Sequence, residues 1–523
     1  MNSRRGVSQL SYALWVSLAN FGLFNIPLLV FAYRNISTAE VSGWLTLSVL
    51  LVVVLTATFA FVLVLLFLSH RVAKGFILFA FSANAAALYF VVSFGVILDK
   101  SMVGNILNTN YAEAVSYLNF KIVAYLVLFG ILPALFFARI RVVSHADYKR
   151  KGSIGLVAVV VGLLWSYANS SSWLWIDQHA KTLGGMVLPW SYIVNFTRYQ
   201  QQLARTSATY DLLPVASVEP IPDTTVVLII GETARAKNFS LYGYDRQTNP
   251  VLSSSGVIAL KEARSCSTYT TESLRCILSS SKYPETYEPL PNYLTRLGVE
   301  VNWRTNNWGE PNIVTSSYQR KRDLIRDCAS ENCAYDEVLM SGLRKQIETS
   351  VSDRQLIVLH QRGSHGPAYF KEYPSRFSRF EPTCKSVELN SCSRQELTNA
   401  YDNTILYTDH VIGEAIDILK KLTERSTILI YVSDHGESLG EDGLYLHGTP
   451  MLLAPPEQTR IPFVVWLSDR FVAEHNVDLD QLRDTAKATH AHVFHSILGA
   501  LQITTDAYNP ELDVFRTTHP AES

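Results

Sequence analysis

The chain has 523 residues, of which 48 % are hydrophobic and 17 % charged. That length exceeds one ordinary domain, and the charge is below the ~25 % of soluble domains, so part of the chain sits where charge is costly. Lys and Arg number 45 and Asp and Glu 46, a net charge of −1, which excludes a basic nucleic-acid binder; with the high apolar and aromatic content it also excludes a disordered chain.

Five long apolar runs lie near residues 11–33, 44–69, 75–98, 119–138 and 154–176. Each suffices for the ~20 residues that cross a bilayer core. They predict an α-helical transmembrane domain of five helices over residues 1–176. The first run is too long for a cleaved signal peptide, and four more follow it. Orientation comes from the cations. Arg4, Arg5, Arg71, Lys74, Arg139, Arg141, Lys149, Arg150 and Lys151 all fall on one side. The other side has only Arg34, Lys100 and Lys121. The positive-inside rule makes the N-terminus cytoplasmic and puts the chain after about residue 177 outside the inner membrane.

Residues 177–215 form a connecting region. Its segment VLPWSYIVNFTRYQQQ mixes aromatics, apolar residues and Arg198, which suits an amphipathic helix on the membrane surface or a plain linker helix. All six cysteines follow: Cys266, Cys276, Cys328, Cys333, Cys384 and Cys392. An even count confined to the exported part reads as disulfides in an oxidising compartment. Sequence neighbours give the simplest pairing: Cys266–Cys276, Cys328–Cys333, Cys384–Cys392. No C-x2-C pair suggests a zinc–cysteine cluster instead.

Residues 216–523 alternate strand-like and helix-like stretches. TTVVLII (224–230), RQLIVLH (354–360) and TILIYVS (427–433) are apolar without strict alternation. Strands buried on both faces of a parallel sheet read this way. Polar residues follow each one: Gly231-Glu232-Thr233, then His360 to Gly366, then Ser433 to Ser438. Open α/β sheets bind ligands at the carboxyl ends of their strands. Glu232, Asp434 and His435 therefore make a candidate metal site, whose mixed oxygen and nitrogen donors suit Zn²⁺, with Mn²⁺ as the runner-up. His447 can reach the same cleft from a loop. The plainer alternative has Asp434 and Glu437 capping a helix in an ordinary turn.

The segment SCSTYTTESLRCILSS (265–280) puts several hydroxyls before a short helix. The positive field there favours an alkoxide, and a metal would lower the hydroxyl pKa further. Composition alone does not choose among Thr268, Thr270 and Thr271 as nucleophile, nor between a threonine and metal-activated water. A simple N-cap is the alternative for each. His365 is placed to contact a phosphate or to protonate a leaving alkoxide. His360, at the end of its strand, reads as structural. Tyr401-Asp402-Asn403 reads as the start of a helix, with packing and capping roles.

Together these residues resemble the lipid-modifying phosphoethanolamine transferases of the alkaline phosphatase/sulfatase superfamily, which include the lipid A phosphoethanolamine transferases and the mobile colistin resistance enzymes. The resemblance rests on VVLIIGETARAKNFSLYGYDRQTNP, SCSTYTTESLRC, LHQRGSHGPAYF, CKSVELNSC, NAYDNTILYTD and YVSDHGESLGEDGLYLHGTP. It implies a multi-pass bacterial inner-membrane protein, with an α/β domain of the alkaline phosphatase/sulfatase type in the periplasm. It implies zinc held by Glu232, Thr270, Asp434 and His435, with Thr270 as the nucleophile that becomes phosphoethanolamine-modified. His365 and His447 match phosphate-contacting histidines that sometimes carry a second zinc. The three cysteine pairs match the family's disulfides. In the loop MVGNILNTNYAE (102–113), Asn105, Thr109 and Glu113 match residues that contact the donor head group.

The implied donor is phosphatidylethanolamine and the implied acceptor a phosphate of lipid A. A core sugar or a periplasmic glucan is the alternative acceptor. Membrane lipids are the expected partners, nucleic acid is not, and a monomer is expected. Two departures bear on the acceptor. After Trp303-Arg304-Thr305-Asn306-Asn307 no Lys follows where the colistin resistance enzymes have one, and Tyr269 stands beside the nucleophile where smaller residues are frequent.

Overall fold

The computed structural model describes residues 6–36, 41–108, 114–115, 117–143, 148–168, 175–176, 179–206, 210–218, 220–387, 389–485 and 487–515. Its contacts divide the chain into two compact units. One is Met1–Val103 with Thr109–Tyr199; the other is Gly104–Asn108 with Gln200–Ser523.

The first unit is helical. Its main helices are α1 (Gln9–Phe24), α2 (Ile26–Asn35), α3 (Val41–Leu68), α4 (His70–Phe94), α6 (Phe120–Arg139) and α7 (Tyr148–Ala168), while α5 (Lys100–Asn108) and α8 (Trp190–Thr206) each contain residues of both units. Among the described residues the helices α3, α4 and α6 are long and apolar enough to cross a membrane, and α1 with α2, bent by 62° at the break between them, makes a fourth if the pair is one span. The fifth expected crossing coincides with α7. Its apolar helical stretch, Gly155–Tyr167, is shorter than the others, so five crossings are not established among the described residues. Large apolar side chains such as Phe79, Leu128, Phe136, Leu156 and Leu163 remain exposed on this unit, as a lipid-facing surface requires. Within α6 the turn Leu126–Ile131 widens into a π-helix just before Pro133, whose ring would crowd the carbonyl four residues back in a regular helix.

Buried amides tie this unit together. Asn84 Nδ2 donates to Asn20 Oδ1 at 2.7 Å, and Asn20 Nδ2 donates to Leu188 O at 2.9 Å. Asn25 Nδ2 donates to the same carbonyl at 3.0 Å and Asn25 Oδ1 accepts from Leu188 N at 3.0 Å. The clamp holds the chain just before α8, the helix expected in the connecting region. Asn84→Leu keeps the branched shape but leaves Asn20 Oδ1 without its donor. It should cost about 1–2 kcal/mol, within the range of interhelical hydrogen bonds in membranes. Thermal unfolding in detergent would read this, and an unchanged midpoint would remove the clamp from the account.

The second unit is built on a seven-stranded sheet. In chain order the strands are β1 (Thr224–Gly231), β2 (Ile258–Ala259), β3 (Glu300–Thr305), β4 (Ser317–Arg320), β5 (Arg354–His360), β6 (Ser426–Ser433) and β7 (Phe463–Leu467). Their order across the sheet is β2-β7-β6-β1-β5-β3-β4. The five strands from β6 to β4 run parallel, and β7 and β2 add antiparallel pairings at one edge. All residues of β1, β5 and β6 are buried, which is why their sequences lack alternation. The helices α9 (Thr270–Leu278), α10 (Arg394–Leu419) and α11 (Ala491–Ala500) belong to this unit. One core joins Val226, Leu228 and Ile230 of β1 to Ile428 and Ile430 of β6, Leu274 and Ile277 of α9, and Phe494 and Ile497 of α11. Three disulfides are present, Cys266–Cys276, Cys328–Cys333 and Cys384–Cys392, with Cα atoms 6.5, 6.0 and 5.7 Å apart.

Candidate active site

The register aligns the ends of the three buried strands. Gly231 pairs with Ser433, and Ile230 with His360. At Gly231 a Cβ would stand 2.5 Å from the Tyr431 hydroxyl, so only glycine fits. Beyond it the backbone turns through Thr233, which holds a left-handed φ of 51°. A threonine pays for that conformation, and such strain gathers at functional sites. Asp434 supports the turn: its Oδ1 accepts from Thr233 N at 3.0 Å and from His435 N at 2.7 Å.

Glu232, Asp434 and His435 converge in the interior, all fully buried. His435 Nε2 lies 3.5 Å from Glu232 Oε1 and 3.2 Å from Asp434 Oδ2. His435 Nδ1 lies 2.9 Å from Gly436 O. A carbonyl only accepts, so the ring proton sits on Nδ1 and the Nε2 lone pair faces the carboxylates. Asp434 Oδ2 has no hydrogen-bond partner among the described residues. Burial, and then the charge of Asp434, push the Glu232 carboxyl well above its usual range. Burial lowers His435. Two carboxylates and an imidazole thus bring lone pairs together with no cationic group among them. A divalent cation would supply the missing positive charge, and the three residues could hold one, since their ligand atoms lie within 4.8 Å of one another.

Thr270 is the first residue of α9, and Tyr269 before it makes no side-chain capping bond. The Thr270 hydroxyl does not cap the helix either. It stands 3.2 and 3.3 Å from the two Glu232 oxygens and 3.4 Å from His435 Nε2. Thr268 turns away and donates to Thr449 O at 2.7 Å. Cys266–Cys276 brackets this segment.

His447 and His365 flank the cluster. The His447 ring centroid is 4.3 Å from that of His435 and 6.0 Å from that of His365. Burial lowers His447 to about 4, and burial with the Arg362 charge holds His365 well below its usual range. His447 Nδ1 meets Glu437 Oε1 at 3.3 Å, and burial pushes Glu437 up to about 8. The helix-capping alternative for Asp434 and Glu437 fails, because the next regular element is the short strand Ser438–Leu439. His360 is fully buried, with Nδ1 3.4 Å from Thr305 Oγ1. Asn105 lies on α5, while Thr109 and Glu113 lie outside the described residues.

Some supporting residues carry no legible signal in the sequence. Asn307 Nδ2 donates to Glu232 Oε2 at 2.7 Å and to Gln361 O at 2.9 Å, which orients the carboxylate. His490 is fully buried; Nδ1 accepts from Cys266 N at 3.4 Å, and Nε2 meets Ser433 O at 3.0 Å. It therefore bridges the nucleophile segment to the end of β6. Tyr401 lies inside α10, which starts at Arg394 under a Ser393/Glu396 capping box, so it does not begin a helix. Its hydroxyl donates to Thr233 O at 2.7 Å and accepts from Arg235 N at 3.0 Å, clamping the strained turn. Tyr269, one of the two departures, donates its hydroxyl to Gly448 O at 2.6 Å and so anchors the loop that carries His447. Tyr269→Phe deletes that bond and keeps the ring. We expect an intact fold with kcat lowered about tenfold, the equivalent of one lost buried hydrogen bond. Wild-type turnover by the variant would show that the anchor is dispensable.

A strand-end cluster of carboxylates and imidazole beside a buried hydroxyl, on a mixed α/β sheet, fits one class, the alkaline phosphatase/sulfatase superfamily, and a sulfatase family model matches residues 224–503. A model of phosphoethanolamine transferase EptA/EptB matches residues 55–204. The chain is 36 % identical to phosphoethanolamine transferase EptA of Helicobacter pylori, over 98 % of this chain and 97 % of that protein. It is 30 % identical to phosphatidylethanolamine transferase Mcr-1 of Escherichia coli, over 96 % of both. The structure of the integral membrane protein lipooligosaccharide phosphoethanolamine transferase A from Neisseria meningitidis aligns with a TM-score of 0.86 at 28 % identity, covering 97 % of this chain and 98 % of that one. The chain belongs to the EptA family of phosphoethanolamine transferases, with a membrane-spanning helical region and a periplasmic sulfatase-type domain.

Proposed function

We propose that this protein transfers phosphoethanolamine from phosphatidylethanolamine to a phosphate of lipid A, through a phosphoethanolaminyl-Thr270 intermediate. The observation that carries the reading is the Thr270 hydroxyl, 3.2–3.4 Å from Glu232 and His435 in a buried cluster of carboxylates and imidazole. Family membership supports the transferred group.

Glu232, Asp434, His435 and Thr270 would hold Zn²⁺, which as a Lewis acid lowers the hydroxyl pKa and neutralises developing charge. Thr270 Oγ1 attacks the phosphorus of the donor. An O–P bond to Thr270 forms, the O–P bond to diacylglycerol breaks, and the hydroxyl proton ends on the diacylglycerol oxygen. His447 and His365 border the cluster and suit the nonbridging phosphate oxygens and this proton transfer. In the second half an oxygen of a monoprotonated lipid A phosphate attacks the same phosphorus, the O–P bond to Thr270 breaks, and the proton of the acceptor phosphate passes to Thr270 Oγ1. Asn105, Thr109 and Glu113 are proposed to take the donor head group, Glu113 facing the ammonium. We also propose that the membrane part crosses the inner membrane five times and that the protein acts as a monomer.

The product carries an added ammonium, so lipid A becomes less anionic and polymyxins bind it more weakly. Mass spectrometry of lipid A from cells with and without the expressed protein tests the acceptor. One added phosphoethanolamine per lipid A is expected. Modification of core sugar or glucan with unmodified lipid A would transfer the reading to that acceptor.

A further inference from the structure

The helices α1 and α2, read as one bent crossing, border a groove beside α2. Pro27 stands at the second position of α2. It lacks an N–H and its ring crowds the carbonyl four residues earlier, a standard cause of a kink. Asn25, between α1 and α2, is fixed by its bonds to Leu188. The 62° bend is therefore built in. α1 packs along α3, whereas α2 only touches it. A groove of about 520 Å³ opens between α2 and the first turns of α3.

The walls are apolar: Leu29, Val30 and Tyr33 on one side, Trp44, Leu47 and Leu51 on the other. Ser48, also in the wall, is engaged, since its Oγ donates to Leu45 O at 2.7 Å and accepts from Trp165 Nε1 at 3.2 Å. The Tyr33 and Trp44 rings stand 6.4 Å apart, and Trp175 Nε1 donates to Asn35 O at 3.3 Å. Such a cluster of Tyr and Trp marks the membrane–water interface. With the N-terminus cytoplasmic, this is the periplasmic leaflet. Arg34 lines the groove, is exposed, and pairs with no carboxylate among the described residues.

We propose that this groove is a binding site for an anionic glycerophospholipid of the periplasmic leaflet, with one acyl chain between α2 and α3 and its phosphate on Arg34. The guanidinium fork matches two phosphate oxygens. Among the described residues that line the groove Arg34 is the one charged group, so the charge they present favours an anionic head group. The site selects phosphatidylglycerol over phosphatidylethanolamine.

Native mass spectrometry of the full-length protein in detergent, titrated with each of the two lipids, tests the assignment. Wild type should retain one phosphatidylglycerol at least about tenfold more tightly than Arg34→Gln, as befits a charge-assisted pair. Leu47→Trp, which fills the groove, should abolish that retention. Phosphatidylethanolamine retention should not respond to Arg34→Gln. Equal phosphatidylglycerol retention by wild type and both variants would overturn the proposal. So would a phosphatidylethanolamine affinity as high as that for phosphatidylglycerol and equally dependent on Arg34. A dimer that Leu47→Trp dissociates would assign the groove to a second copy and likewise overturn it.

Discussion

Thr270→Ala should abolish phosphoethanolamine transfer, with kcat falling on the order of 10⁴-fold or more, as for removal of other enzyme nucleophiles. The reason is local. Of the hydroxyls around the start of α9, Thr270 Oγ1 is the one placed against both Glu232 and His435, and Thr268 is committed to Thr449 O. The side chain is nearly buried and loses only a hydroxyl and a methyl, so the fold should survive. Intact-protein mass spectrometry gives the sharper readout. Wild type incubated with phosphatidylethanolamine and no acceptor should carry one phosphoethanolamine, and Thr270→Ala none. Thr270→Ser should form the adduct more slowly, because serine keeps the nucleophile but lacks the methyl that packs near Gly309. An adduct on the alanine variant would move the nucleophile elsewhere. Transfer without any adduct on wild type would point to direct displacement by the acceptor.

The sequence makes the centre of this site readable, and the reason is burial. β1, β5 and β6 are covered on both faces, so TTVVLII, RQLIVLH and TILIYVS stand out as unbroken apolar runs, and their ends fall within one residue of the observed strands. Glu232, Asp434 and His435 are conspicuous because they follow such runs immediately. What stays hidden depends on distant partners. Asn307 supports Glu232 across 75 residues because β3 lies beside β5, a neighbour relation that no local pattern encodes. Tyr401 reaches Thr233 O across 168 residues from the middle of a helix. The choice among Thr268, Thr270 and Thr271 needs the phase of a nine-residue helix, which composition does not fix. The bend in the first crossing is masked as well. Residues 11–33 read as one apolar run, and only the Asn25 bonds together with Pro27 show it to be two helices.

The second large effect concerns the acceptor cluster. Asp434→Asn should strip the protein of its metal and its activity together, while leaving the metal-free fold at least as stable as the metal-free wild type. The asparagine Oδ1 can still accept from Thr233 N and His435 N, so the turn keeps its support. What changes is the other atom. In wild type, Asp434 Oδ2 lies 3.2 Å from His435 Nε2 with no donor bonded to it. An amide there places N–H groups among lone pairs that otherwise repel, and removes one of two buried negative charges. The same exchange removes a metal ligand, and should weaken zinc affinity by more than the ~100-fold that outer-shell changes cost. Three readouts separate the contributions. Zinc per protein by elemental analysis should fall from at least one to near zero. Transferase activity should vanish in the variant and, reversibly, in chelator-treated wild type. Zinc addition should raise the melting temperature of wild type, because a ligand that binds only the folded state stabilises it, and leave the variant unmoved. Full activity of thoroughly demetallated wild type would overturn this assignment. A zinc-replete, active Asp434→Asn protein would do the same, because both outcomes leave four converging acceptors, Glu232, Asp434, His435 and Thr270, without the cation that accounts for their arrangement.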